Sequence, residues 1–322
     1  MTYKKKTAVL LALIVFLAAV YILSFVFDPE NRRSSAFAWL EIQHQYMADG
    51  IEIFGVEGWV FLTKMNDIWF LRNESGELPV KQEKVADLFA LLRQKNVYPV
   101  RLSSSEGLER HGLTESIASR IIVRGGPGLP LVELLVGFRD ALGREVYLRK
   151  GGTNQVFSTE DGYSAFIEMG PSSWYDLRLF LPESNLPGSV LTADKVQSFE
   201  ILHPENERIF LRRSGGGWIL IGNENLQVES IMVEAWLRLL LEAEGDGFDF
   251  NVPEAFDGSI TLHLGDGSSR TLQVGPTESI FINNTVEENS RRAVISGSSF
   301  VYALTEQSFN HLFRDITFFL RD

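Results

Sequence analysis

Residues 59–71 read WVFLTKMNDIWFL, and residues 208–220 read RIFLRRSGGGWIL. In both stretches an apolar pair, Phe61-Leu62 or Phe210-Leu211, is followed at the same separation by a tryptophan and two further apolar residues. The segment between them holds Met-Asn-Asp in the first stretch and three glycines in the second, and both are suitable turn residues. Each half of the chain is therefore predicted to contain a β-hairpin that ends on a tryptophan.

A helix is predicted after each hairpin. Its apolar residues recur at i, i+3, i+4 and i+7, which puts them on one helical face, and the two sets are related by a single offset along the chain. These residues are Val85, Leu88, Phe89 and Leu92 in the first half, and Val233, Trp236, Leu237 and Leu240 in the second. Packing into a core explains all of them without a ligand.

Short strands separated by glycine turns follow each predicted helix. They cover residues 120–123, 131–136, 145–148 and 155–157 in the first half, and 260–264, 271–274, 292–295 and 300–302 in the second. Each half then ends on an aromatic and acidic tail, in which Asp176 is aligned with Asp315 and Phe180 with Phe319. The predicted class is α+β, with two tandem copies of a module that combines antiparallel strands and an amphipathic helix.

An uncharged run, TAVLLALIVFLAAVYILSFVF at residues 7–27, precedes the repeated region. It is as long as a helix must be to cross about 30 Å of hydrocarbon. Three lysines at positions 4–6 favour a cytoplasmic N-terminus, so the rest of the chain is expected to be extracytoplasmic. The alternative is a cleaved signal peptide, since residues 36–38 (AFA) resemble a cleavage site, although the apolar run is longer than a signal peptide normally has. A single-pass protein of the cytoplasmic (inner) membrane is predicted.

The boundaries of the predicted segments follow from these features and from a stretch with Pro and Gly at residues 182–188, which is typical of a linker. The expected segments are a cytoplasmic tail (1–6), a transmembrane helix (7–27), a juxtamembrane segment (28–49), a first α+β module (50–181), a linker (182–195) and a second α+β module (196–322).

Composition excludes several classes of protein. The chain has 322 residues, of which 45% are hydrophobic and 22% charged, and such a chain folds. Its net charge of −12 disfavours binding to nucleic acid, because neutralising phosphates requires clustered lysine and arginine. There is no cysteine, so disulfides, thiolate metal sites, a cysteine nucleophile and a lipoprotein anchor are all excluded.

No pattern of residues predicts a catalytic, cofactor-binding or metal site. The five histidines do not have the spacing of metal ligands; they are His44, His111, His203, His263 and His311. The run Gly125-Gly126-Pro127-Gly128 lacks the lysine of a phosphate-binding loop and is interpreted as a turn. Residues 242–249 (EAEGDGFD) form the densest acidic cluster but lack the frame of a calcium-binding loop, so they are interpreted as a solvated loop. We expect no enzyme activity, no cofactor and no metal.

Taken together, the hairpin, the tryptophan, the amphipathic helix and the glycine-turned strands resemble a bacterial family, the domain of unknown function 4340. The resemblance covers about residues 50–322 in two copies. The chain departs from the family pattern in its first copy, where residues 59–62 (WVFL) lie close to the predicted membrane helix and the hairpin lacks a glycine-rich turn. The resemblance implies membrane anchoring, a repeated module and a partner among gliding-motility-type ABC transporter components.

Three functions remain open on the sequence alone. The first is a membrane-anchored extracytoplasmic interaction or accessory module of an ABC-type transporter of the gliding-motility type, with the permease or a related envelope protein as partner. The second is an extracytoplasmic protein that binds a small molecule, such as a saccharide, in the cleft between the modules. The third is an envelope hydrolase that works through carboxylates, and no pair of carboxylates in the sequence supports it.

Overall fold

The computed structural model describes residues 16–17, 20–21, 36–74, 76–126, 129–181, 190–205, 207–282 and 285–321. The predicted cytoplasmic tail and the first residues of the juxtamembrane segment lie outside these ranges. So do residues 182–189 of the predicted linker and, except for Phe16, Leu17, Val20 and Tyr21, the predicted transmembrane helix. Among the described residues, no helix has both the length and the apolar character that crossing a membrane requires.

The described helices are short. They are α1 (Ile42–Met47), α2 (Gln82–Arg93), α3 (Ser164–Ile167), α4 (Ser230–Glu242) and α5 (Glu306–Leu312). Single 3-10 turns lie at Glu109–His111, Pro171–Trp174, Ala193–Lys195 and Ile316–Phe319.

Strands make up most of the regular structure. Those of the first half are β1 (Ala48–Gly55), β2 (Gly58–Met65), β3 (Ile68–Asn73), β4 (Gly76–Pro79), β5 (Val100–Leu102), β6 (Ser119–Gly125), β7 (Leu129–Arg139), β8 (Glu145–Lys150) and β9 (Val156–Glu160). Those of the second half are β10 (Val196–Leu202), β11 (Arg208–Ser214), β12 (Gly217–Leu220), β13 (Gly247–Asp249), β14 (Gly258–Leu264), β15 (Ser269–Val274), β16 (Glu278–Ile282), β17 (Thr285–Ile295) and β18 (Val301–Leu304).

This content corrects the predicted fold class. The protein is 43% strand and 22% helix and is mainly antiparallel β, so the prediction of an α+β class with two helix-bearing copies is wrong, and the predicted transmembrane helix is not found among the described residues. The physical reason is that each sheet uses more strands than the sequence patterns indicated. Strand β1 was not recognised, because its three buried apolar residues, Ala48, Ile51 and Ile53, do not alternate regularly along the strand.

The two sheets have the same strand order. The first sheet runs β4-β3-β2-β1-β6-β7-β8-β9-β5, and the second runs β12-β11-β10-β14-β15-β17-β18-β13, with β16 paired to β17 alone. Once β4 is set aside, every strand of the first sheet has a counterpart at the same place in the second. The registers agree as well, since Ile51 pairs with Leu62 and Ile53 with Val60, just as Phe199 pairs with Leu211 and Ile201 with Ile209.

Both predicted hairpins are confirmed. The β2–β3 turn uses Asn66 and Asp67, whose φ angles of 48° and 64° lie in the left-handed region. Asparagine and aspartate tolerate this conformation better than other residues with a side chain. The β11–β12 turn meets the same requirement with glycine, at Gly215 and Gly216.

The eight helical residues predicted for the core are all buried, in α2 and in α4. In α4 the indole Nε1 of Trp236, which is buried, donates a hydrogen bond of 3.0 Å to the carbonyl oxygen of Leu312. Each helix packs its apolar face into its own core, as the 3.6-residue period requires.

The chain divides into two compact units. One comprises the residues up to Met65 together with Gln82–Trp174, and the other comprises Asn66–Lys81 together with the residues from Tyr175 onward. In the first unit, the segment 36–40 forms a bridge to the chain after α2, because Phe37 and Asn96 exchange two backbone hydrogen bonds and Leu40 donates to Leu92.

In the second unit, a segment in the same position joins the chain after α4. Arg178 forms a bridge with Glu244, Leu179 donates to the Ala243 carbonyl, and Gly245 donates to the Leu177 carbonyl. Residues 36–40 and 177–179 are therefore equivalent parts of the two units.

The predicted alignment of the two tails needs correction. A bridge joins Val80 to Tyr175, and the equivalent bridge joins Val228 to Leu320. Each follows a 3-10 turn, so the fully buried Trp174 is equivalent to the fully buried Phe319. Asp176 therefore does not correspond to Asp315. Both have structural roles, since Asp176 pairs with Arg178 and Asp315 caps the turn at Ile316–Phe319.

Candidate interaction surface

Three aromatic rings lie together on the outward face of the first sheet, and we call them the aromatic platform: Phe54, Trp59 and Phe61. The ring centroids are 5.6 Å apart for Phe54 and Trp59, 5.9 Å for Phe54 and Phe61, and 6.5 Å for Trp59 and Phe61. All three pairs are edge-to-face, an arrangement that aromatic rings favour. Trp59 is 66% exposed and Phe61 is 37% exposed, so the platform is open to a partner.

Strand alternation puts these rings on the outward face. From Ile51 to the end of β1 and in β2 the buried residues are Ile51, Ile53, Val60 and Leu62, so the residues that alternate with them point the other way. Phe54 lies directly opposite Trp59 across the two strands. The inward face is thus committed to the core, while the outward face carries the rings.

The β1–β2 turn is fixed by a close approach to α3. The amide of Val56 donates to the carbonyl of Ile167 at 2.9 Å, and a Cβ added to Gly55 would be 2.2 Å from that same oxygen. Only glycine allows this contact. The turn that joins Phe54 to Trp59 is therefore held by backbone contacts.

Charged side chains border the platform on β6. The Arg120 guanidinium lies 5.9 Å from the Phe54 ring centroid, within the range of a cation–π contact. Arg120 also pairs with Glu115 at 2.5 Å and with Glu133 at 3.7 Å. Farther along β1 and β6, Glu52 accepts two hydrogen bonds from Arg124, and this pairing raises the pKa of the arginine. The surface is thus an exposed aromatic patch with a polar rim.

Another part of the same face is covered. Residues Leu108 and Leu113 pack with Leu135 of β7 and Val156 of β9 in a small apolar cluster. This cover belongs to the chain between β5 and β6, and it leaves Trp59 and Phe61 exposed.

The second sheet shows that the fold does not require the platform. By the registers of the two sheets, Leu202 occupies the place of Phe54, Arg208 that of Trp59, Phe210 that of Phe61 and Ser259 that of Arg120. Arg208 there forms an ion pair with Glu200 at 2.6 Å. Phe61 recurs as Phe210, but the same architecture forms with a leucine at the place of Phe54 and an arginine at the place of Trp59. Phe54 and Trp59 therefore need an explanation other than folding.

Comparison with protein families gives one match, to the domain of unknown function DUF4340, over residues 69–248. That range includes more than half of the chain. The chain belongs to the DUF4340 family. Comparison with curated proteins gave no match.

The DUF4340 match begins at Trp69, after the three rings of the platform. Of the charged residues that border the platform, Glu115, Arg120, Arg124 and Glu133 lie within the match and Glu52 does not. Sequence reasoning interpreted Phe61 as part of a hairpin and did not single out Phe54 or Trp59. The signal was present, because Trp59 and Phe61 alternate with Val60 and Leu62, which places the two aromatic residues on the face opposite the core.

The described histidines of this DUF4340 protein do not form a metal-binding cluster, and acidic residues of the run 242–249 make contacts within the fold. No group of three or more His, Asp, Cys or Glu in the described ranges is arranged to hold a metal ion. The ring centroids of His111 and Tyr147 are 4.3 Å apart. Burial, together with the nearby Arg110, lowers the pKa of His111. In the acidic run 242–249, Asp246 accepts from the Thr305 amide and Asp249 pairs with Arg292.

The second unit also contains cavities. Two of them have volumes of about 530 and 410 Å³, and both are lined by Phe180 and Leu191, which flank residues 182–189. Because those residues lie outside the described ranges, neither cavity is a candidate site. A third cavity, of about 390 Å³, lies beside α4 and α5.

Proposed function

We propose that this protein is an extracytoplasmic interaction module of the cytoplasmic membrane, and that it binds a partner protein through the aromatic platform. The observation that carries the proposal is the exposed Trp59 beside Phe54 and Phe61. Contact surfaces between proteins are enriched in aromatic residues and arginine at their centres. A large apolar patch with a polar rim on a folded domain marks such a surface.

The internal comparison between the sheets supports this proposal. A residue needed only for the sheet would recur at the equivalent place of the second sheet, and Trp59 is replaced there by Arg208. Exposing an indole to water is unfavourable, and the fold does not require it at this position. A partner that covers the ring would bury its apolar surface.

We further propose that the partner is the permease or a related envelope subunit of an ABC-type transporter of the gliding-motility type. The support for this choice is the resemblance to the DUF4340 family described above. Attachment to the inner membrane through residues 7–27, with the N-terminus inside, belongs to the same proposal; its support is the uncharged run and the lysines at positions 4–6.

The test is a pull-down from detergent-solubilised membranes with the full chain as bait. Wild type and Trp59→Arg are compared, since arginine is the residue that the second sheet carries at this place and therefore fits the strand. The control is Phe281→Arg, which changes an equally exposed ring on β16 (65% against 66%). We expect Trp59→Arg to lose a membrane protein that wild type and Phe281→Arg both recover. Equal recovery by all three baits would contradict the proposal.

A second candidate function is the binding of a saccharide. It is favoured by the combination of an exposed indole with Arg120, Glu115 and Glu133 nearby, because sugar rings stack on aromatic faces while their hydroxyls bond to charged groups. This alternative predicts saturable binding of a soluble oligosaccharide that Trp59→Arg abolishes in the absence of any protein partner.

A further inference from the structure

A groove in the second unit has the size and lining of a small-ligand site. It lies between the C-terminal half of α4, α5 and the chain from Arg314 to Phe318, and its volume is about 390 Å³. Sites for small organic molecules are typically about 300–1,000 Å³ and mainly apolar, with a few polar groups that fix orientation. We call it the α4–α5 groove.

The walls of the groove are apolar. Leu239 is 67% exposed although it lies on a helix that contributes five residues to the core. Trp236 adds an indole whose single donor is already bonded to the Leu312 carbonyl, so that it offers only apolar contact. Phe318 forms part of the opposite wall. A ligand here therefore needs a hydrocarbon portion.

Arg314 supplies an uncompensated charge to the groove. Its guanidinium lies 4.9 Å from the centroid of the Phe318 ring, and its Nε is buried without a hydrogen-bond acceptor. Within the ranges that the structure describes, no carboxylate pairs with it within 4.0 Å. A buried donor of a charged group that lacks an acceptor destabilises the fold. Because the side chain as a whole is partly exposed, its terminal NH2 groups, and not the buried Nε, are the donors that a ligand acceptor can meet.

The other polar residues of the groove are Glu244, Ser308 and His311. Glu244 and His311 are exposed, so water can solvate them at the opening, whereas the Arg314 side chain is partly buried. The groove thus combines apolar walls with the positive charge of Arg314.

We propose that the α4–α5 groove binds an amphipathic monocarboxylate. The carboxylate accepts hydrogen bonds from the Arg314 guanidinium, and the aliphatic portion packs against Leu239, Trp236 and Phe318. Arginine forms strong, charge-assisted bonds with a carboxylate, and the apolar walls account for the preference for an aliphatic ligand over a small inorganic anion.

The experiment is a calorimetric titration of the detergent-solubilised full chain with octanoate, from which the heat of a protein-free detergent titration is subtracted. Octanol and octylamine are the matched uncharged and cationic probes. Arg314→Gln removes the proposed carboxylate partner, and Arg212→Gln, at an exposed arginine on β11, is the control for overall charge. Circular dichroism establishes that each variant is folded.

We expect octanoate to bind at one site per chain, at least about tenfold more tightly than octanol or octylamine. Arg314→Gln should weaken octanoate binding about tenfold or more, and Arg212→Gln should leave it unchanged. Glu244→Gln should tighten binding, because it removes a negative charge from the opening. If Arg314→Gln does not fold, Leu239→Glu at an exposed position serves instead and should abolish binding. Absence of saturable octanoate binding to wild type, or equal binding by Arg314→Gln or Leu239→Glu, would overturn the proposal.

Discussion

Gly55 determines where the aromatic platform lies. Its missing side chain lets the β1–β2 turn approach the Ile167 carbonyl, and a methyl group there would sit 2.2 Å from the oxygen. Gly50, on the same strand, has its nearest atom at 3.6 Å from a built Cβ, which is ordinary contact. The two glycines therefore have different roles, although both lie on β1.

We predict that Gly55→Ala destabilises the protein by about 1–3 kcal/mol, because backbone atoms of α3 must move. Gly50→Ala should change the free energy of unfolding by less than about 0.5 kcal/mol. Urea denaturation of both variants measures the difference. Equal stability of the two variants would show that the turn is not fixed by its contact with Ile167.

Glu234 of α4 holds the second tryptophan hairpin. Its carboxylate accepts from the Trp218 indole at 2.8 Å and pairs with Arg213 at 2.6 Å, while the Arg213 guanidinium lies 4.6 Å from the Trp218 ring centroid. Burial raises the pKa of Glu234, but the hydrogen bonds from Trp218 and Arg213 outweigh burial, and the pKa is lowered from 4.5. The carboxylate is thus stabilised in its charged form.

Because the pKa is lower in the folded state than in the unfolded chain, the stabilisation is complete above pH 4.5 and is lost as the pH falls through the folded value. We predict that Glu234→Gln lowers the free energy of unfolding by about 1 kcal/mol at pH 7. Its difference from wild type should shrink as the pH falls below 4.5. Glu242→Gln, at an exposed position on the same helix, should have no effect at either pH. A pH-independent difference for Glu234→Gln would contradict this account.

Single residues differ in how well the sequence reveals them. Leu88 and Trp236 were predicted as core because a 3.6-residue period over a whole helix repeats the same signal several times. Asp176 was aligned with Asp315 from a short aromatic and acidic pattern, and the strand bridges show a different alignment. Trp59 was missed as a surface residue, since a tryptophan inside a strand pattern usually indicates core.

At the scale of elements, the segment 36–40 belongs to the first unit although it was expected to be juxtamembrane chain. Leu40 is 1% exposed, and the rings of Phe37 and Trp39 contact those of Tyr98 and Phe157 at 4.9–5.5 Å. The sequence did not show this, because a segment held by backbone bonds to a distant part of the chain has no periodicity of its own.

A truncation series tests this segment. A chain that starts at Ala36 should keep the cooperative unfolding of the unit, whereas one that starts at Glu41 should lose about 3 kcal/mol or more, since it lacks the buried Leu40 and three backbone hydrogen bonds. Thermal unfolding of the two truncated chains measures the loss. Identical midpoints would mean that residues 36–40 do not contribute to the fold.

The helices and hairpins were predicted better than the complete sheets. Both tryptophan hairpins and both long helices form where the sequence indicated, because their signals are local. Strands such as β5 and β13 have three residues each and pair with β9 and β18, which lie far along the chain. Such pairing depends on the whole sheet, so no local sequence pattern indicates it.

At the scale of the whole molecule, the chain contains one strand order twice, with surfaces that differ. The first sheet carries the aromatic platform where the second has Leu202, Arg208, Phe210 and Ser259. The helices differ in the same way at one position, since the exposed Ile231 of α4 is at the position of Glu83 in α2. The shared residues explain the fold, and the residues that differ indicate where each unit contacts other molecules.

The most direct test of the platform is site-specific photo-crosslinking in intact cells. A photoreactive phenylalanine analogue is placed at position 59 in one variant and at position 208, the equivalent place of the second sheet, in the other. We predict an adduct with a membrane protein from position 59 and none from position 208. Equal adducts from both positions, or none from position 59, would contradict the account.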